Sequence, residues 1–185
     1  MGLTCEYFAA PSDTDATAVL DRPKDSSQAV VRPSSPPVKR SLLRRRGRPA
    51  EEARREEPRS AAAPSPAYPT VDGGGVEPIV QMGTLEAALT GRSYDDVMAD
   101  RADDGVIADR DGGERLVVRL TAALSDSLAD AGEAHLATVA VPWSETDEFW
   151  GQGDPEDLAA LLGRLADLAR DARAKGWSLY CRVGL

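Results

Sequence analysis

Hydrophobic residues recur at two different periods along this chain, and the clearest change from one to the other falls near its C-terminal end. Leu158, Leu161, Leu162, Leu165, Leu168, Ala169 and Ala172 are spaced three and four apart, while Arg164, Asp167, Arg170, Asp171 and Arg173 fall mainly on the other side. That spacing predicts an amphipathic helix over 154–175 with one buried face. Its ends are signalled as well. Asp154 can accept from free backbone N–H groups, Pro155 suits the first helical position, and Glu156 and Asp157 suit the positive end of the dipole. Gly176 suits a left-handed C-cap. From Trp177 the period becomes two: Trp177, Leu179, Cys181 and Val183 alternate with Ser178, Tyr180 and Arg182, which predicts a half-buried strand.

The same two periods organise the rest. Leu3, Cys5 and Tyr7 share one face of a first strand over 3–8, and Asp13 to Leu20 suits a short helix or an extended segment. Ile79, Val80, Met82, Leu85, Ala88 and Leu89 fit a helix that stops near Gly91, and Ser93 can cap a further turn or two through Met98. Turn residues Asp109 to Gly113 precede Leu116, Val118 and Leu120, which alternate with Arg115, Val117 and Arg119 in another strand. Helices are expected over Thr121 to Asp130 and Glu133 to Val141, the latter closed by Pro142. Ser144 with Asp147 resembles a capping box that would start one more. The expected fold is α+β: a small, mostly antiparallel sheet of about three strands packed by four or five helices, with the first and last strands, at the chain ends, in one sheet. An all-helical bundle is the alternative.

Composition changes this picture between Asp21 and Pro69. There the chain turns to Pro, Arg, Ser and Ala with few large apolar side chains, too little to offset the entropy of ordering. The expected organisation is a first strand and domain start at 1–20, a disordered insert and Gly73-Gly74-Gly75 linker at 21–75, and the remainder of one domain at 76–185. Twelve Lys and Arg stand against six Asp and Glu between Asp21 and Pro69, leaving the rest with 10 basic and 25 acidic residues, a net of −15. An acidic body of this kind is a poor surface for nucleic acid or anionic membrane and a good one for a basic protein. Inside the insert, Arg44-Arg45-Arg46-Gly47-Arg48-Pro49 resembles the core of an AT-hook, which lies in the minor groove of A·T-rich DNA. The flank here is Ala50-Glu51-Glu52, where that pattern expects bases.

Candidate chemistry is sparse. Cys5 and Cys181 and the single histidine, His135, lack the close spacing of a zinc site, and the Asp residues at 100, 103, 104, 109 and 111 lack the calcium-loop pattern. Both cysteines fall on the apolar parity of a strand, as buried reduced thiols would; a disulfide between neighbouring end strands is the other reading. No phosphate loop, dinucleotide fingerprint or nucleophile with a base is present, so no cofactor is expected and an enzyme ranks last. No apolar run approaches the roughly 20 residues that span a bilayer, and Met1 to Ala10 has no basic n-region with an apolar h-region, which suggests a cytoplasmic protein.

The most distinctive stretch outside the insert is Trp143 to Trp150, where two tryptophans and Phe149 share eight residues with Glu145, Asp147 and Glu148. Aromatics packed beneath the last helix are one reading. An acidic, aromatic surface for a basic partner, formed by Trp143, Glu145, Asp147, Glu148 and Trp150, is the other.

The start Leu-Thr-Cys-Glu-Tyr-Phe, the central Ile79 to Tyr94 run and the end Leu-Tyr-Cys-Arg-Val together resemble an uncharacterised family of small proteins from high-GC Gram-positive bacteria. The resemblance covers most of the chain outside Asp21 to Pro69. It implies a small cytoplasmic domain and brings no activity, ligand or catalytic residue. The leading expectation is therefore a non-enzymatic binding protein of immunity or regulatory type whose acidic body engages a basic protein. A DNA-associated protein using Arg44, Arg45, Arg46, Gly47 and Arg48 is the alternative, and an enzyme of unknown class comes third.

Overall fold

The computed structural model describes residues 2–21, 68–101 and 105–185, and these form an α+β fold around one antiparallel sheet. β1 (Thr4–Ala10) lies beside β5 (Ser178–Gly184), so the two ends of the chain meet at the centre of the sheet. Cys5 stands opposite Val183, Tyr7 opposite Cys181 and Ala9 opposite Leu179, which puts the apolar parity of both strands on one face. β4 (Arg115–Arg119) pairs with the other edge of β5. Two further strands, β2 (Thr70–Asp72) and β3 (Val106–Arg110), close the edges in the order β2-β1-β5-β4-β3. Among the described residues, five strands thus stand where about three were expected.

The helices among the described residues are α1 (Asp13–Thr17), α2 (Val80–Thr90), α3 (Tyr94–Asp100), α4 (Ala122–Asp130), α5 (Glu133–Ser144) and α6 (Pro155–Lys175), six rather than four or five. α6 has the ends its sequence predicts. Asp154 accepts from the N–H groups of Glu156 and Asp157 at 2.8 and 3.1 Å, and Gly176, at φ 69, lets Trp177 N–H reach Ala172 O at 2.9 Å. Its leucines at 158, 161, 162, 165 and 168 are all buried, each contributing about 1.5–3 kcal/mol of transfer free energy. They pack with α2, α4 and α5 over the face of the sheet that carries Cys5, Tyr7, Leu179, Cys181 and Val183.

The last strand, expected over 177–183 and half-buried, runs over Ser178–Gly184 and is covered on both faces. α1 and the following 3-10 turn, Ala18–Asp21, lie across the second face, where Ala16, Val19 and Leu20 enclose Phe8, Val117 and Tyr180. Tyr180 is 1% exposed and donates to Asp13 Oδ1 at 2.7 Å, so a position that reads as solvent-facing is core.

α5 runs past the proline expected to end it. A helix-interior proline costs roughly 3 kcal/mol, and burial of Trp143 and Ser144 in the following turn offsets it. The Trp143 carbonyl is then satisfied by Thr146 Oγ1 at 2.9 Å. No capping box forms at Ser144: its hydroxyl donates back to Val141 O at 2.7 Å, and the next 3-10 turn, Asp147–Phe149, begins after Thr146.

The glycine linker expected to end at 75 is preceded by β2, which pairs with β1 through Glu6, Tyr7 and Phe8. Gly73 itself packs tightly, since a Cβ there would stand 2.6 Å from the Tyr7 ring. The disorder expected for most of the insert and the Arg44, Arg45, Arg46, Gly47 and Arg48 arm lie outside the described residues. Among the described residues, no helix is long and apolar enough to cross a membrane.

Candidate functional site

The Trp143 to Trp150 stretch divides into a buried half and an exposed half. Trp143 is 1% exposed; its Nε1–H donates to Gln81 O at 3.0 Å and Thr84 Oγ1 at 3.1 Å on α2. Its expected place in a partner-binding surface is corrected by that packing, because both the ring and its one donor are used inside the fold. Trp150, by contrast, is 86% exposed.

The two tryptophans are linked by a braced turn. Phe149 meets the Trp143 ring edge-on at 5.2 Å, and Glu148 O accepts from Gln81 Nε2 at 3.1 Å. Trp150 N–H donates to Asp147 O at 3.0 Å and Gln152 N–H to Phe149 O at 2.8 Å. Gly153 passes so close to the end of α5 that a Cβ would lie 2.6 Å from Ser144 O. Trp150 itself has φ 48 and ψ 35, a left-handed conformation that costs a residue with a side chain on the order of 1–2 kcal/mol. The fold thus holds a large apolar ring in water, in a conformation that glycine would adopt more easily.

Acidic groups frame that ring in sequence. From Leu120 to Gly163 the chain carries nine Asp and Glu and no Lys or Arg. Glu145 and Asp147 are exposed and Glu148 half-buried, and among the described residues none of these three forms an ion pair. Glu148 also lies close enough to Tyr94 to act on its hydroxyl, which burial first, and then this charge, raise above the ordinary tyrosine value. Several basic residues of the body are engaged elsewhere, as in Arg173 with Asp130 at 2.6 Å and Arg182 with Glu6 at 2.7 Å. An exposed aromatic ring within a few residues of carboxylates outside any ion pair is suited to a cation: the ring face attracts it directly, and the carboxylates raise its local concentration.

A second constellation escaped the sequence reading. Glu86 on α2 is 1% exposed and its Oε2 accepts from Arg101 Nη2 at 2.9 Å and from Thr121 Oγ1 at 2.7 Å. Arg101 Nη1 donates to Pro78 O at 3.0 Å and Ile79 O at 3.1 Å, while Thr121 Oγ1 accepts from Leu124 N–H and so caps α4. One buried carboxylate thereby ties α2, the end of α3 and the start of α4. The available signal was Glu86 itself, an acid four residues after Met82 and three before Leu89 on an otherwise apolar face.

The remaining candidates stay apart. His135 is exposed on α5. Cys5 and Cys181 are free buried thiols on adjacent strands. Asp109 sits in β3 and Asp100 ends α3, while Asp103 and Asp104 lie outside the described residues. Among the described residues, no group of three or more His, Cys, Asp or Glu is arranged to hold a metal ion. No family model, curated protein or solved structure matches the chain.

Proposed function

We propose that this is a non-enzymatic binding protein whose Trp150 turn receives a basic protein partner. The observation that carries the reading is the 86% exposure of Trp150 in a left-handed conformation, on a turn braced against buried Trp143. A Lys or Arg of the partner stacks on the Trp150 ring, a contact worth about 0.5–1 kcal/mol in water and about 2 kcal/mol or more once desolvated. Glu145, Asp147 and Glu148 steer the encounter, which makes association fast at low salt and slower as salt screens the charges. Because the turn is already held by hydrogen bonds from α2 and α5, little conformational entropy is lost on docking.

Comparing wild-type protein with Trp150→Ala and with Glu145→Gln/Asp147→Asn/Glu148→Gln, each used to retain proteins at low and high salt, tests the reading. Trp150→Ala is expected to lose the retained partner while leaving stability within about 0.5 kcal/mol, as befits an exposed side chain. The triple neutralisation is expected to slow association and flatten its salt dependence. A partner held equally well by all three proteins would mean that binding lies elsewhere on the molecule.

A further inference from the structure

We propose that a second site, independent of the Trp150 turn, binds a small uncharged molecule with a compact apolar body. It is a cavity of about 460 Å³, open to solvent, where the end of α3, strands β3 and β4 and the start of α4 meet. That volume is in the range of small-molecule sites.

Its apolar wall is only partly covered by the fold. Val118 and Leu120 belong to the core, but Ile79, Met98 and Ile107 are half-buried and Val106 is 38% exposed. Four large apolar side chains from three separate segments thus line one concavity and leave part of their surface in water. Single exposed apolar residues scattered over a surface call for no ligand, whereas a concave apolar set with a few polar groups around it is how small-molecule sites are built.

The charged lining groups decide the class of ligand. Two carboxylates, Asp13 and Asp100, and two guanidinium groups, Arg101 and Arg119, line the cavity, so their formal charges cancel. Each is already engaged. Asp13 accepts from the Tyr180 hydroxyl at 2.7 Å and stands 3.6 Å from Arg119, whose Nη2 also donates to Ser178 Oγ at 3.4 Å. Asp100 pairs with Arg92 at 2.5 Å and Arg101 with Glu86 at 2.9 Å, while the Thr121 hydroxyl donates to Glu86 and accepts from Leu124 N–H. An ion of either sign would leave water and find its counter-charge taken. An uncharged apolar molecule needs none of these groups and is held by covering the wall.

Titrating the full chain with adamantanol, adamantane carboxylate and adamantyl ammonium, which share one apolar cage and differ in charge, tests the assignment when followed by methyl resonances. Adamantanol is expected to give saturable shifts at Ile79, Met98, Val106 and Ile107. Both ions are expected to bind about tenfold more weakly or worse, whichever their sign. Val106→Asp, at an exposed position, sets a carboxylate in the wall and is expected to weaken adamantanol about tenfold; should that variant fail to fold, the comparison of alcohol with ions on the wild-type chain decides. Trp150→Ala is expected to leave adamantanol binding unchanged, which keeps this site separate from the partner surface. Absence of saturable shifts, shifts confined to other parts of the molecule, an ion that binds as tightly as the alcohol, a folded Val106→Asp that binds like wild type, or loss of binding in Trp150→Ala would each overturn it.

Discussion

The carboxylate of Glu86 holds the guanidinium of Arg101 at 2.9 Å with the two side chains only 2% and 9% exposed. Removing one member of such a pair leaves the other charged and buried. Glu86→Ala is expected to cost about 3–5 kcal/mol, whereas Glu86→Leu with Arg101→Met is expected to cost far less or nothing, because both charges then leave together. Urea unfolding of the single and double variants measures this. Equal destabilisation by both would show that shape, not charge pairing, holds α2, α3 and α4 together.

Two tyrosines predict the alkaline limit of the fold. Burial first, and then the hydrogen bond to Asp13, push the Tyr180 hydroxyl up to about 12 from its usual 10.0, and burial likewise raises Tyr7 well above that value. Folding therefore disfavours the ionised forms. The stability Tyr180 contributes is whole below pH 10 and is lost as pH rises through about 12, and the burial of Tyr7 acts in the same direction. Unfolding midpoints measured from pH 8 to 12 should fall above pH 10, and Tyr180→Phe should make that fall shallower. A Tyr180→Phe profile with the same alkaline slope as wild type would remove Tyr180 from the account.

The long helix and the final strand were legible because their signals are local. Asp154, Pro155 and Gly176 mark ends, and Leu158 to Val183 change period where the backbone changes geometry. That β1 and β5 share one sheet was legible from the shared parity of Cys5, Tyr7, Cys181 and Val183; their direct pairing was not. β2 was hidden by its length, three residues at a sheet edge, and β3 because Asp109 and Arg110 read as turn residues. Pro142 misled for a different reason: tertiary burial of Trp143 outweighs a local rule. In the candidate site, sequence could place two tryptophans together but not say which faces water, since that depends on where α2 lies. Glu86, Arg101 and Thr121 are joined only by the packing of three helices, so no spacing announces them.

The thiols test the burial of the central strands. Cys5 and Cys181 are diagonal neighbours on β1 and β5, and burial first, with the adjacent Cys5 sulfur next, raises the Cys181 thiol well above its usual 9.0. Thiolate is scarce there and access is closed. Iodoacetamide at pH 8 should leave native protein unmodified over a time in which the urea-unfolded chain takes up two adducts. Rapid modification of either cysteine in native protein would contradict the packing of β1 on β5.

Gly153 is the predicted weak point of the Trp150 turn. An added Cβ would lie 2.6 Å from Ser144 O and 3.0 Å from Ser144 Cα, so Gly153→Ala must push the turn off the end of α5. A loss of about 1–3 kcal/mol is expected, together with weaker partner binding. Gly151→Ala, at φ 69 but with open space around it, should cost only about 1 kcal/mol. Thermal unfolding compares them, and a harmless Gly153→Ala would show that the turn is not braced there.

The most direct test of the partner surface is the affinity of the retained partner for Trp150→Ala against wild type, measured at one low ionic strength. A loss of about 2 kcal/mol or more, on the order of thirtyfold, with unfolding unchanged is the predicted result. Unaltered affinity would contradict the assignment and leave Trp150 a solvent-exposed ring without a role in binding.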